Sequence, residues 1–289
     1  MNHNSLIAKL FILSITIMPL FAHGASNTEN LEPLKSAIND LTDTVDKLVI
    51  TKDTPLLTPE EKIEQERASR LSTFREILNL ASIEIKDLET KLNALKDTDL
   101  SEEERVIKDT FLRELKLYAT HYKEIKAELD NENASLEELK IIARNLKEWR
   151  VSYEANLEEM FNFLSLFQSE TLLDTAEERW EKISKDLTKI KKSGLPTANL
   201  QKLLGKAKGN LDASKKLNTD AYETFMKPWR IATSSTSSTA SLLVPPQNSS
   251  SEPALLNPTR VALQQSLINI KNAYQSFFEM NKIVKLLIK

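Results

Sequence analysis

The sequence predicts an all-α protein, an elongated antiparallel bundle of long, coiled-coil-like helices, on three observations. Glycine is scarce: 289 residues contain only Gly24, Gly194, Gly205 and Gly209. Sheets and βα units need glycine at turns, bulges and close backbone approaches, whereas bundles joined by short polar turns do not. Apolar residues recur in alternating steps of three and four, the spacing of a seam between packed helices. A hydroxyl followed three residues later by glutamate, the capping-box pattern, occurs at Thr58–Glu61, Ser101–Glu104 and Ser135–Glu138.

Residues 1–25 read as a secretory signal. Lys9 supplies the positive start, Leu10 to Phe21 is an apolar run interrupted by Ser14 and Thr16, and Ala22-His23-Gly24 offers small residues at cleavage spacing. The run is too short for the roughly 20 residues of a spanning helix, which favours cleavage over an uncleaved anchor.

Residues 26–168 read as a long-helix bundle, with helices at about 27–50, 59–96, 102–130 and 136–168. Leu31, Leu34, Ile38 and Leu41 mark the first seam, and Leu71, Phe74, Leu78, Ala81, Ile85 and Leu88 the second. Phe111, Leu115, Tyr118, Tyr122 and Ile125 mark the third; Leu139, Leu146, Trp149, Tyr153, Met160 and Leu164 the fourth, with polar Asn156 at one seam position. Pro59 stands at the first helical position after Thr58, where its missing N–H costs nothing. The connections before Ser101 and Ser135 are short, which predicts antiparallel neighbours.

Past Phe167 the heptad would place Thr171 and Asp174 inward, yet Leu173, Ala176, Trp180, Ile183 and Leu187 set another phase. This predicts a kink or break near Gln168–Thr175 and a helical hairpin over 169–230, its turn closed by Ser193-Gly194-Leu195-Pro196. Residues 231–257, rich in Ser, Thr and Pro, read as a disordered, flexible tether. Residues 258–289 read as a C-terminal amphipathic helix that docks on the bundle, on a partner, or on a membrane.

Charge is segregated under a net of −3. Ser26–Ala176 holds 33 carboxylates against 20 cations, Glu177–Arg230 holds 7 against 13, and Pro258–Lys289 holds 1 against 5. The candidate contact for an anionic surface or partner is therefore Lys182, Lys185, Lys189, Lys191, Lys192, Lys202, Lys206 and Lys208, with Lys282, Lys285 and Lys289 on the last helix. Lys215 and Lys216 extend it. The bland alternative is complementarity with the protein's own acidic helices.

No catalytic, cofactor-binding or metal site is expected. Cysteine is absent, which excludes disulfides, thiolate metal sites and a cysteine nucleophile. His121 is the one histidine after residue 25, and Tyr118 stands where a di-iron bundle would place a glutamate. Neither a phosphate-cradling glycine loop nor a Gly-x-Ser-x-Gly elbow occurs. Gly205-Lys206-Ala207-Lys208-Gly209 has the small-residue spacing of close helix approach, or marks a surface or local kink. Tyr118, Tyr122, Trp149 and Tyr153 lie on seam positions and read as core.

Leu146-Lys147-Glu148-Trp149-Arg150, and Arg179-Trp180-Glu181-Lys182-Ile183 through Gly194-Leu195, resemble exported α-helical bacterial proteins of unknown function. The resemblance implies a bacterial envelope or secreted setting and carries over no catalytic residue. Together these features point to an exported, non-enzymatic structural or protein-interaction protein of the periplasm, cell surface or extracellular space. Its expected partner is a protein or a second copy met through helix faces. The alternative is a peripheral module on an anionic membrane or wall polymer; nucleic acid is not expected. Expressed in an export-competent bacterium, the chain should lose residues 1–25, and N-terminal sequencing that still begins at Met1 would overturn the export reading.

Overall fold

The computed structural model describes residues 36–45, 58–130, 134–192, 196–234 and 257–287. The signal (1–25), most of the tether, the Ser193-Gly194-Leu195 cap and Lys289 lie outside them. Among the described residues all regular structure is helical: α1 (36–45), α2 (Pro59–Ala94), α3 (Glu102–Leu129), α4 (Leu136–Lys192), α5 (Ala198–Ser234) and α6 (Pro258–Leu287), with a 3-10 turn at Asp97–Asp99. The chain divides into two compact units, Met1–Leu157 and Glu158–Lys289.

In the first unit the capping chemistry is realised at the starts of α2, α3 and α4. The Thr58, Ser101 and Ser135 hydroxyls accept from the Glu61, Glu104 and Glu138 amides at 3.2–3.3 Å. The same glutamates accept back from the cap amides at 2.6–2.8 Å. These bonds hold the Glu61 and Glu138 carboxyls below their ordinary range.

Helices α2 and α3 run antiparallel. At one end the buried Lys108 ammonium donates to the Leu95 carbonyl (2.6 Å) and to Asp97 (2.7 Å), closing the C-terminus of α2. At the other end Arg75 lies 3.7 Å from Asp130. Helix α4 returns along α3: Tyr118 meets Tyr153 and Asn156, while Tyr122, one turn on, meets Trp149. Leu78, Leu88, Leu92, Ile107, Phe111, Leu115, Leu139 and Leu146 are buried. Each such side chain contributes about 1.5–3 kcal/mol.

The second unit is a three-helix bundle with an unusual core. Two layers contain one small residue from each helix. Ser169 (α4), Ser214 (α5) and Ser266 (α6) form the first and Ala176, Ala207 and Ala273 the second, all at most 1% exposed. Seven residues separate the layers along every helix, upward on α4 and α6 and downward on α5. Helix α6 therefore runs parallel to α4 and antiparallel to α5. One heptad further, Ile183, Leu200 and Met280 share an apolar cluster with Leu187 and Leu204. One heptad the other way, the same register places Asn162, Ala221 and Thr259, all buried.

Small side chains let helix axes approach closely, and the buried hydroxyls satisfy one another. Ser214 Oγ and Ser266 Oγ lie 2.6 Å apart, Ser266 Oγ lies 3.4 Å from Ser169 Oγ, and Ser169 donates to Asn218 Oδ1 at 2.8 Å. Ser214 also donates to the Ser266 carbonyl at 3.2 Å.

The expected break near Gln168–Thr175 is corrected by the structure, in which α4 is one helix of 57 residues, about 85 Å long. That stretch has neither glycine nor proline, so nothing forces a kink. Asn162, Leu166, Ser169, Leu173 and Ala176 are buried at unbroken heptad spacing. The slip itself is real, since Leu139, Leu146, Tyr153 and Met160 are buried before it and Asn162, Ser169 and Ala176 after it, but the change of inward face is taken up within one continuous helix. At the far end α5 continues through Pro228 to Ser234 although proline removes a helical donor, with Trp229 buried beside it.

The glycines of the Gly205–Gly209 segment are exposed, and a Cβ at either meets nothing within 4 Å; the close approach is made by Ala207 between them. Gly205→Ala and Gly209→Ala should each raise stability by about 0.5–1 kcal/mol. Ala207→Leu should lower it by about 1–3 kcal/mol or more, because the alanine layer has no room. Chemical denaturation of the three variants checks both signs.

Asn257 caps α6, its Oδ1 accepting from the Thr259 amide at 3.0 Å, while its Nδ2 donates to Glu159 on α4 at 3.3 Å. Burial, reinforced by repulsion from Glu158, lifts the Glu159 carboxyl to about 7, against the Asn257 bond that favours its charged form. An acid whose folded pKa is raised contributes full stability below its unfolded pKa and loses it as pH climbs to the folded value. Protection of α6 amides from hydrogen exchange should therefore fall between about pH 4.5 and 7 by up to roughly 2 kcal/mol. In Glu159→Gln that dependence should vanish.

Candidate interaction surface

The bundle register decides where the lysines go. With α4 and α6 parallel and α5 antiparallel, the C-terminal ends of α4 and α6 share one end of the second unit with the N-terminal part of α5. Across 180–192, 198–209 and 277–287 stand ten lysines and three carboxylates, Glu181, Asp186 and Glu279. Lys182, Lys185, Lys189, Lys191 and Lys192, Lys202, Lys206 and Lys208, and Lys282 and Lys285 are thus brought to one end, from three helices.

Three of the ten are engaged by neighbouring carboxylates. Lys189 pairs with Asp186 at 2.8 Å and Lys185 approaches Glu181 at 3.8 Å. Lys208 lies 2.8 Å from Asp212 and 3.5 Å from Glu177, with its ammonium 5.5 Å from the Trp180 ring centroid. The Asp212 bond, outweighing partial desolvation, raises the Lys208 pKa. Glu177 is shared with Lys215 at 3.8 Å. Trp180 donates its indole N–H to the Leu204 carbonyl at 3.0 Å, fixing α4 against α5 at the base of this end.

Lys182, Lys191, Lys192, Lys202, Lys206, Lys282 and Lys285 are exposed and have no ion-pair partner among the described residues. The expected patch is thereby divided: Lys208 belongs to a structural cluster, and the other engaged pairs are exposed helix-surface pairs worth little. What remains is a field of cations carried on three helix ends, facing water, where salt screens charges beyond about 8 Å at physiological ionic strength.

The outer face of α6 adds what charge alone does not. Phe278 and Leu286 are 63% and 75% exposed, four residues to either side of Lys282. Sequence periodicity passes over Phe278 because Phe277 beside it takes the core position, 6% exposed. The signal was the Phe277-Phe278 pair itself, since consecutive residues point about 100° apart on a helix and the second leaves a narrow seam.

The aromatic group of the first unit is packing. Trp149 lies edge-on to Tyr118 (5.6 Å) and Tyr122 (5.1 Å), and tilted against Tyr153 (4.3 Å) and His121 (3.9 Å). Desolvation pushes the Tyr118 hydroxyl up to about 12, opposed by the 3.0 Å bond it accepts from Asn156. Burial likewise raises Glu84, against the attraction of Arg150. Among the described residues no group of three or more His, Asp or Glu is placed to hold a metal ion, and no helix is long and apolar enough to cross a membrane.

No family model, curated protein or solved structure matches this chain.

Proposed function

We propose that the protein is a non-enzymatic helical interaction protein, exported from the cytoplasm, that docks an acidic partner surface on the lysine-rich end of its second unit. The observation that carries this reading is the convergence of unpaired lysines from three separate helices on one end of a bundle held in fixed register. A solvated helix face usually mixes both signs, so that intrahelical pairs neutralise it; here Lys182, Lys202 and Lys282 stand unneutralised among the described residues. The coiled-coil character and the resemblance to exported bacterial proteins support a structural or adaptor role in the envelope or outside the cell. Attachment to an anionic membrane or wall polymer is the second reading, favoured by Phe278 and Leu286 beside the lysines.

The test is binding of the mature chain to polyglutamate across a salt series. Affinity should fall steeply with salt and drop by about tenfold in the triple variant Lys182→Gln/Lys202→Gln/Lys282→Gln. Lys189→Gln/Lys208→Gln, which removes already paired cations, should bind within about twofold of the parent. Equal affinity of the triple variant and the parent would defeat the reading.

A further inference from the structure

Helix α6 is two-sided in an unusual way. Its inward heptad ends in Met280 and is flanked by Ile270 and Phe277, all buried. Its outward face would ordinarily be paired charges, yet Glu279 is the only carboxylate on α6. On that face Ile268 (49% exposed), Phe278 and Leu286 stand among Lys271, Lys282 and Lys285. Ile268 and Leu286 are eighteen residues, five turns, apart and share one azimuth. Phe278, Lys282 and Leu286 form a single row at four-residue steps, cation between two apolar groups.

We infer that this row docks the C-terminal end of α6 onto an anionic lipid bilayer, Phe278 and Leu286 entering the headgroup–acyl boundary and Lys282 and Lys285 holding the headgroup charge. The inference rests on the lysine-rich end of the proposed function and takes its second reading, an anionic membrane, as the occupant.

Three features select a bilayer over other occupants. A second copy paired through the same face would set this cationic row against itself, at a repulsive cost. An acidic protein surface would match the lysines and leave two large apolar side chains facing carboxylates. A lipid interface supplies both chemistries at the depths these side chains reach, because lysine stems lie along apolar surface while the ammonium stays among headgroups. The lysines of α4 and α5 at the same end extend the cationic field beyond the row.

The test uses the mature full-length chain, co-sedimented with vesicles of phosphatidylcholine alone or mixed with phosphatidylglycerol. The parent should bind only the mixed vesicles. Phe278→Ser/Leu286→Ser, which leaves the net charge unchanged, should weaken vesicle binding by about tenfold while keeping its polyglutamate affinity. Lys282→Gln/Lys285→Gln should weaken both. Both residues of the apolar pair are mostly exposed, so circular dichroism should report an unaltered fold, and Phe278→Leu should restore most of the vesicle binding. Undiminished vesicle binding by Phe278→Ser/Leu286→Ser overturns the inference and leaves the acidic-partner reading standing. Binding to neither vesicles nor polyglutamate sinks both. A dimer in sedimentation equilibrium that dissociates in the Phe278→Ser/Leu286→Ser variant reassigns the row to a second copy.

Discussion

The second unit depends on the close approach of three helices at two layers of small side chains. Alanine at 176, 207 and 273 contributes little apolar area of its own, so its value is to let neighbouring helices come near enough for Leu173, Leu211, Ile270 and Phe277 to pack around it. The serine layer fixes what alanine alone would leave free. A hydroxyl left unpaired in the core costs about 1–3 kcal/mol, and Ser169, Ser214 and Ser266 meet one another in the observed register. Sliding α6 by a heptad one way would set Ala273 among the serines and Met280 among the alanines, and the other way would set Ser266 among the alanines. The polar layer thus selects one alignment, as a buried asparagine does in a coiled coil.

That alignment is also what makes the surface. Nothing in a list of lysines says that residues 182, 202 and 282 belong together; they do because α6 runs with α4 and α5 runs against both. The carboxylates of the same unit are distributed to suit. Glu177 and Asp212 hold Lys208 and Lys215 on the flank, at 2.8–3.8 Å, and Asp186 holds Lys189 on its own helix. Little negative charge then remains at the bundle end to offset the lysines there. The first unit, by contrast, uses charge to finish helices: glutamates at three N-caps, and Lys108 at the C-terminus of α2.

How much of this was legible in sequence follows the range of the interaction concerned. Capping boxes are local, three residues from hydroxyl to carboxylate, and Thr58, Ser101 and Ser135 could be read without knowing any partner. The apolar seams of α2 and α3 are likewise legible, since Leu78, Ile85, Leu88, Leu92, Phe111, Leu115 and Tyr122 repeat along one face and are all buried. The serine layer is not legible by hydrophobicity, because its hydroxyls are paired 49 to 97 residues away in the chain. Reading only apolar residues hid that layer, and the real change of inward face was mistaken for a break in α4. A search for small residues at seven-residue spacing would have found 169 and 176, 207 and 214, and 266 and 273. Lys108 was missed for the same reason: its partners at Leu95 and Asp97 sit across a turn. For the surface, the lysines were legible as composition, while the removal of Lys208 by two carboxylates, one on another helix, was not.

The outer face of α6 turns these points into a constraint on function. A helix whose inner face is already filled by Leu263, Ser266, Ile270, Ala273 and Phe277 gains nothing in folding from Phe278 and Leu286, which stay mostly in water. Glutamate at those positions would serve solubility better and would supply four-residue ion pairs with Lys282. Isolated exposed leucines are ordinary and need no account. Two large apolar groups bracketing a cation on one row, on a helix with a single carboxylate, are a different case, because both departures from a solvated face favour the same kind of neighbour. The small-residue core supplies the remaining condition: it holds α6 in place by register, leaving that face open.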